Sequence, residues 1–406
     1  MKRFYTAIVR RRRLVLAVFA LAAVLSVFAV RQVKVDYDIN DYLPPESPST
    51  TAIEVMNGAF TGGIPNMRVM VRDVTVPQAL EYKEKLAAID GVSAVAWLDD
   101  SLDVTVPLQM QDTATVESYY KDGCALFTVT VEDEKRLEAV AAVRDLIGEG
   151  NALEGAAVST AVATNSTVTE VAKIAAIAVV YVLLILILTT DSWAEPLLVL
   201  TGLGAAILLN NGTNLIFGTI SFVTNAAGSI LQLAVSMDYA IVLLHTFRRC
   251  QREYADPYVA MAHAMKRGFS VVLSSAAVTF FGFLSLTVMR FGIGVNMGIV
   301  LAKGILFSFL TVMFLMPCLT LLCLRWIDRF EHRFLMPSFD GFARVCQRIM
   351  VPMAVVVIVV AVPAYLAESR TDFRYGTSGF APPGSQTAVE QERIEEAFGA
   401  SATWVV

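Results

Sequence analysis

The sequence predicts a membrane bundle of seven α-helices that carries an extracytoplasmic α+β domain of ferredoxin-like type. Three observations carry this reading. Of the 406 residues 56% are hydrophobic and 17% charged, and the apolar ones gather into blocks of the length, about 18 residues or more, that a spanning helix needs. Lys and Arg cluster beside alternate blocks. The long stretch between the first two blocks is acidic and breaks into strand-length and helix-length pieces.

The spans are expected over residues 14–30, 171–188, 196–209, 225–247, 269–289, 294–324 and 350–366. The third is short for a span unless Asn210 and Asn211 lie at the interface. Arg10 to Arg13 precede span 1, Arg248, Arg249, Arg252, Lys266 and Arg267 follow span 4, and Arg325, Arg329, Arg333, Arg344 and Arg348 follow span 6. Alternate threading puts all three clusters on one side, which the positive-inside rule makes cytoplasmic. The chain is then a multi-pass protein of the cell membrane with a cytoplasmic N-terminus. Its large domain lies outside and holds 22 Asp and Glu against 10 Lys and Arg, a charge of about −12.

The organisation follows. Residues 1–30 form the cytoplasmic N-terminus and span 1, 31–168 the outer domain, 169–325 a five-helix bundle, 326–349 a cytoplasmic linker, 350–367 span 7, and 368–406 the start of a second outer domain. Within the outer domain, residues 67–71 alternate like a strand, 76–89 are spaced like a helix and 92–97 alternate again. The scheme repeats with a strand at 125–131, a helix at 134–147 and a strand at 156–160. Two βαβ units in this length point to a ferredoxin-like sandwich. A further short helix, at 257–267 between spans 4 and 5, reads as interfacial on the cytoplasmic face.

Arg10 to Arg13 followed by an apolar stretch ending at Ala29 would also fit a signal peptide. A second copy argues against cleavage. Tyr37 matches Tyr375, Tyr42 matches Phe380, Pro44 and Pro45 match Pro382 and Pro383, Glu54 matches Glu392, and Ala59 and Phe60 match Ala397 and Phe398, all at an offset of 338 (382 − 44). Such a repeat implies duplicated units, each of one span, an outer domain and five further spans. The second unit stops at Val406 soon after it begins, and Trp404 closes an apolar strand-like segment with no partner. The expectation is a truncated product of a longer gene, its missing partner being the second half of its own chain or a second copy in a homo-oligomer.

Chemistry inside the membrane centres on Asp238. An ionisable group at midspan is a functional-site hypothesis by default, the alternative being a structural buried acid. Asn225, Ser229, Gln232, Ser236 and Tyr239 recur at spacings of four and three and so share one face of span 4. Asp238 is rotated about 100° from Tyr239, so polar groups occupy more than one side and span 4 should be central to the bundle. Ser, Asn and Gln on such a helix also serve as interhelical glue.

Lys303 is the second ionisable group at depth and a candidate charge partner for Asp238. It sits roughly 14 Å below the outer end of span 6 at about 1.5 Å per residue. The two are expected to form a direct or water-bridged pair, unless Lys303 snorkels within a wet cavity. Ser236, Gln232, Ser274, Ser275, Thr279, Asn296 and His245 are candidates for a polar pathway. For the serines and the threonine the alternative is bonding to nearby backbone carbonyls, and for His245 a solvated helix end.

Little favours catalysis. No glycine loop of nucleotide-binding type precedes a helix, and the three His are scattered. Cys124 is the only cysteine of the outer domain, and Cys250, Cys318, Cys323 and Cys346 show no metal-ligand spacing. The expectation is a non-enzyme without cofactor, metal or nucleic-acid partner.

Ser236-Met-Asp238-Tyr239 with His245 and the basic loop after it, Leu43 to Pro48 at the entry of the outer domain, and Met297 to Ile305 with Met316 and Pro317 together resemble the MMPL branch of the RND transporter superfamily. The resemblance covers essentially the whole chain. It implies a proton relay at Asp238 and Tyr239, export of lipidic or other hydrophobic molecules driven by proton entry, an outer domain that handles substrate, and a matching acid in the second half, which lies beyond this sequence. The reading is therefore a proton-driven exporter working among membrane lipids. Its competitor is a non-transporting lipid sensor or scaffold of the same superfamily. Sodium in place of the proton stays open, because a carboxylate with Ser and Tyr oxygens can bind either ion.

Overall fold

The computed structural model describes residues 2–36, 42–48, 50–52, 55, 64–332, 340–368 and 384–400. Of the matched repeat positions, Tyr37, Glu54, Ala59, Phe60, Tyr375, Phe380, Pro382 and Pro383 fall outside the described residues, as do Arg333 and Trp404. The chain divides into two compact units, one of residues 1–36 and 170–373, the other of residues 37–169 and 374–406. Strands in chain order are β1 (Lys34–Asp36), β2 (Met67–Val71), β3 (Val92–Ala96), β4 (Tyr120–Lys121), β5 (Cys124–Val131), β6 (Ala152–Glu154) and β7 (Thr219–Ser221).

The second unit is an antiparallel sheet in the order β3-β5-β2-β6, with β4 added beside β5. Helix Val76–Ala87 joins β2 to β3 and helix Arg136–Ile147 joins β5 to β6. Alternation along β2 and β5 sends Val69, Val71, Phe127 and Val129 to one face, where Leu86, Val143 and Trp97 complete a core. Met70 and Leu126 point to the other face, and Ile394 of helix Gln386–Phe398 covers them. That helix is further held by Arg144, whose guanidinium grips both Glu390 oxygens at 2.6 and 3.0 Å. A segment of the second repeat thus seats on the sheet that follows the first. The two copies also agree locally: described positions 48, 50–52 and 55 are helical, as are their counterparts 386, 388–390 and 393. At the sheet edge, burial pushes the Glu154 carboxyl up while the Arg68 guanidinium beside it pulls it back.

One strand expectation fails. Residues 156–160 alternate like a strand, yet they open helix Ala156–Thr189, and the edge strand is β6 just before them. Gly155 separates the two at φ +118°, a conformation glycine adopts and β-branched residues do not.

Among the described residues seven helices are long and apolar enough to cross a membrane, at Arg12–Val30, Ala156–Thr189, Ala194–Phe217, Phe222–Glu253, Pro257–Val288, Gly292–Leu322 and Val345–Glu368; all lie within the first unit except Ala156–Thr189, which begins in the second. These are the seven spans expected, with different ends. Span 3 is longer than its apolar core suggests, because Asn210 is buried in the bundle instead of lying at an interface. The separate interfacial helix does not form: residues 257–267 run without a break into span 5. Gly268 lies at the expected boundary and imposes no break; it is buried, and a Cβ added there would meet Leu243 at an ordinary 3.8 Å. Spans 1 and 3 approach so closely that a Cβ on Gly212 would fall 2.5 Å from Ser26. Span 4 packs against spans 3, 5 and 6, so it is central as expected. Span 7 leaves its apolar side chains exposed along its length.

Candidate functional site: the polar layers of span 4

Span 4 begins where Ser221 caps it, its hydroxyl accepting from the Val223 amide at 3.2 Å. Asn296 of span 6 accepts from the Ser221 amide at 3.2 Å. Asn296 therefore anchors the start of span 4. Three turns on, Gln232 is fully engaged. Its Oε1 accepts from Asn210 Nδ2 at 3.0 Å, and its Nε2 donates to Gly304 O and Ser308 Oγ, each at 3.1 Å. One amide thus bolts spans 3, 4 and 6 together. Gly304 is required there, since a Cβ would stand 2.8 Å from Asn210 Nδ2. Asn211 donates to Ser229 at 3.1 Å and adds a second bond between spans 3 and 4.

Lys303 belongs to this same layer. Its ammonium donates to Asn210 O, Thr213 Oγ1 and Asn214 Oδ1 at 3.0, 2.9 and 2.6 Å, and it stands 5.1 Å from the Phe217 ring centroid. A cation there meets the carbonyl end of span 3, where the helix dipole is negative. The expected pairing with Asp238 is not formed, and the register explains why. Bonds between spans 4 and 6 join residues 72 to 76 apart in sequence, so an offset of about 75 makes Lys303 level with Gly228 (303 − 75). Asp238 is level with position 313 (238 + 75), about 15 Å further along at 1.5 Å per residue. Counting from helix ends places both near midplane, and the bonds of Ser221 and Gln232 to span 6 reveal the offset.

The layer at Asp238 differs in kind. Asp238 faces outward, with Leu231 and Ala234 on the same exposed side, and it makes no side-chain hydrogen bond or ion pair among the described residues. Its neighbour Tyr239 turns inward and is 2% exposed. Tyr239 Oη, Ser236 Oγ and Thr311 Oγ1 are all buried without a partner among the described residues. Thr311 opens a π-helical turn, Thr311–Leu315, inside span 6. Pro317, two residues past its end, lacks the N–H that would continue a regular ladder. Single π-turns within α-helices gather at functional sites.

The MMPL family model matches residues 41–361. The chain belongs to the MMPL family. Over 109 residues it is also 30% identical to the putative membrane protein ActII-3 of Streptomyces coelicolor; the aligned stretch is 27% of this chain and 15% of that protein's length.

The other expected site residues of this MMPL chain scatter. Ser274 and Ser275 are exposed on span 5, and Thr279 donates to Ser275 O at 3.1 Å, the carbonyl-bonding alternative. His245 is exposed two turns beyond Asp238 and lines a narrow cleft with Thr190, Glu195 and Arg248. Sequence reasoning missed the ion pair in that cleft. Glu195, 3% exposed, accepts from Arg248 Nε at 2.9 Å, and Arg248 reaches Asp328 at 3.5 Å. The available signal was an acid in the first turn of span 3, where the dipole favours one. Among the described residues no cluster of three His, Cys, Asp or Glu could hold a metal ion.

Proposed function

We propose that this chain is a proton-driven transporter of RND type that exports lipidic or other hydrophobic molecules, with Asp238 as the group that takes up the proton. The observation that carries the reading is the contrast at one depth: an acid on an exposed helix face beside three buried hydroxyls without partners among the described residues. A charged carboxylate at bilayer depth is costly on such a face, and a protonated one far less so. Protonation therefore changes how that face packs against whatever covers it. We assign that cover to a second set of spans, from the rest of its own chain or from a second copy, a reading the internal repeat supports. Tyr239, Ser236 and Thr311 offer donors and acceptors to a water chain leading toward the acid. Lys303, already bonded three ways, has no part in the proton step.

The orientation that suits this reading has the N-terminus and the basic clusters in the cytoplasm and the α+β domain outside the cell membrane. A ferredoxin-like assignment of that domain is supported by its βαββαβ order and its antiparallel pairing β3-β5-β2-β6. Asp238→Asn in the full-length natural protein should abolish efflux and leave membrane insertion intact; undiminished efflux would sink the proton role. The Gln232 amide, bonded at both its oxygen and its nitrogen, would equally suit a rigid lipid sensor or scaffold. An imposed proton gradient across reconstituted vesicles separates the two, since lipid or dye distribution shifts for an exporter and stays put for a sensor. Replacing that gradient with a sodium gradient tests the coupling ion.

A further inference from the structure

Residues Lys2–Arg10 form a short amphipathic helix whose Tyr5, Ile8 and Val9 are buried in the membrane unit. Tyr5 meets Phe269 with ring centroids 6.1 Å apart, so the helix is tied to span 5. Between it and the first turns of helix Pro257–Leu284 lies a cavity of about 410 Å³, within the roughly 300–1,000 Å³ range of small-molecule sites. Its wall is apolar, from Val9, Val259 and Ala262, and its rim is cationic, from Arg10, Arg12 and Lys266. His263 completes the rim, stacked on Tyr254 with centroids 4.4 Å apart.

The charges do not cancel. Arg10, Arg12 and Lys266 make no ion pair among the described residues, whereas the nearby Arg267 is committed to Glu253 at 2.9 Å. Asp256 is the one carboxylate lining the cavity among the described residues, and it already accepts from the Tyr258 amide at 2.8 Å. Three cations and one carboxylate leave the rim with a net charge of +2 before His263 is counted. Arg12 lies over the Tyr258 ring, 4.8 Å from its centroid, which holds its guanidinium at the mouth. The cavity sits where spans 1 and 5 begin, and the end of a spanning helix is where lipid headgroups meet their chains. A soluble anion would have no use for the apolar wall, and an uncharged lipid none for the rim.

We propose that this cavity binds an anionic phospholipid, its phosphate between Arg10, Arg12 and Lys266 and its first acyl carbons against Val9, Val259 and Ala262. The lipid ties the N-terminal helix to span 5. That it comes from the cytoplasmic leaflet rests on the orientation proposed above. Binding itself does not, because micelles have no sides.

The test uses the whole chain purified in detergent with equal amounts of phosphatidylglycerol and phosphatidylcholine, and measures retained lipid by mass spectrometry. Wild type should retain phosphatidylglycerol preferentially. R10Q/R12Q/K266Q should lower that retention roughly a hundredfold, each cation contributing about a factor of five, and leave phosphatidylcholine unchanged. Ala262→Phe fills the wall without touching charge, so it must lower retention too even if the triple variant fails to fold. Equal retention by wild type and A262F overturns the proposal. So does displacement of the lipid by millimolar inorganic phosphate, which would mark a site for soluble anions. An inverted orientation, read by side-specific labelling of Cys124 in the α+β domain, would move the leaflet and leave the binding result standing.

Discussion

The two halves of span 4 solve opposite problems. At Gln232 every amide atom is used, three spans meet, and a neighbouring lysine is satisfied by a helix end. At Asp238, two turns on, an acid faces outward and the buried hydroxyls around its depth have no partners among the described residues. Bonded polar groups inside a bilayer fix one packing, while unbonded ones leave several within reach. The first layer therefore holds the bundle, and the second is where a change of charge can act.

Substitutions can break this comparison. The largest expected effect is on activity: Asp238→Asn removes proton-driven efflux yet leaves thermal stability in detergent unchanged, because the side chain contributes no bond. A large drop in Tm would mean that the acid is structural. Tyr239→Phe should lower the transport rate by about tenfold or more, in the manner of a lost proton-transfer partner. Its stability should hold or rise, since the lost hydroxyl is buried and has no partner among the described residues. Gln232→Leu should show the reverse, a loss of about 2 kcal/mol from three interhelical bonds at roughly 0.6 kcal/mol each, read as a lowered unfolding midpoint. The smallest expected effect is the most specific. A double-mutant cycle of Asp238→Asn with Lys303→Met should give a coupling within about 0.5 kcal/mol of zero, and a larger value would mean that the two charges do interact.

What the sequence reveals depends on how local the physics is. Seven spans are legible because each carries its own apolar length, and the paired prolines and aromatics of the repeat are legible because they recur at a constant offset. Two local patterns mislead. Residues 156–160 alternate like a strand until Gly155 turns the chain into a helix, and the basic end of 257–267 looks like an interfacial helix although nothing interrupts it. The role of Lys303 is not legible at all, because it depends on the register between spans 4 and 6 and on where span 3 ends. The Glu195–Arg248 pair escapes for a related reason: each residue alone looks like an ordinary solvated helix end. Asp238 itself is conspicuous, though its outward direction depends on which faces the neighbouring helices cover.

The most direct test of the proton site is an infrared pH titration of the carboxyl stretch, taken as the difference between the full-length protein and Asp238→Asn. The account predicts a protonated-carboxyl band that titrates with pH, vanishes in D238N and is unmoved by Lys303→Met. Absence of any titrating band at Asp238, or a band that shifts when Lys303 is replaced, would contradict it.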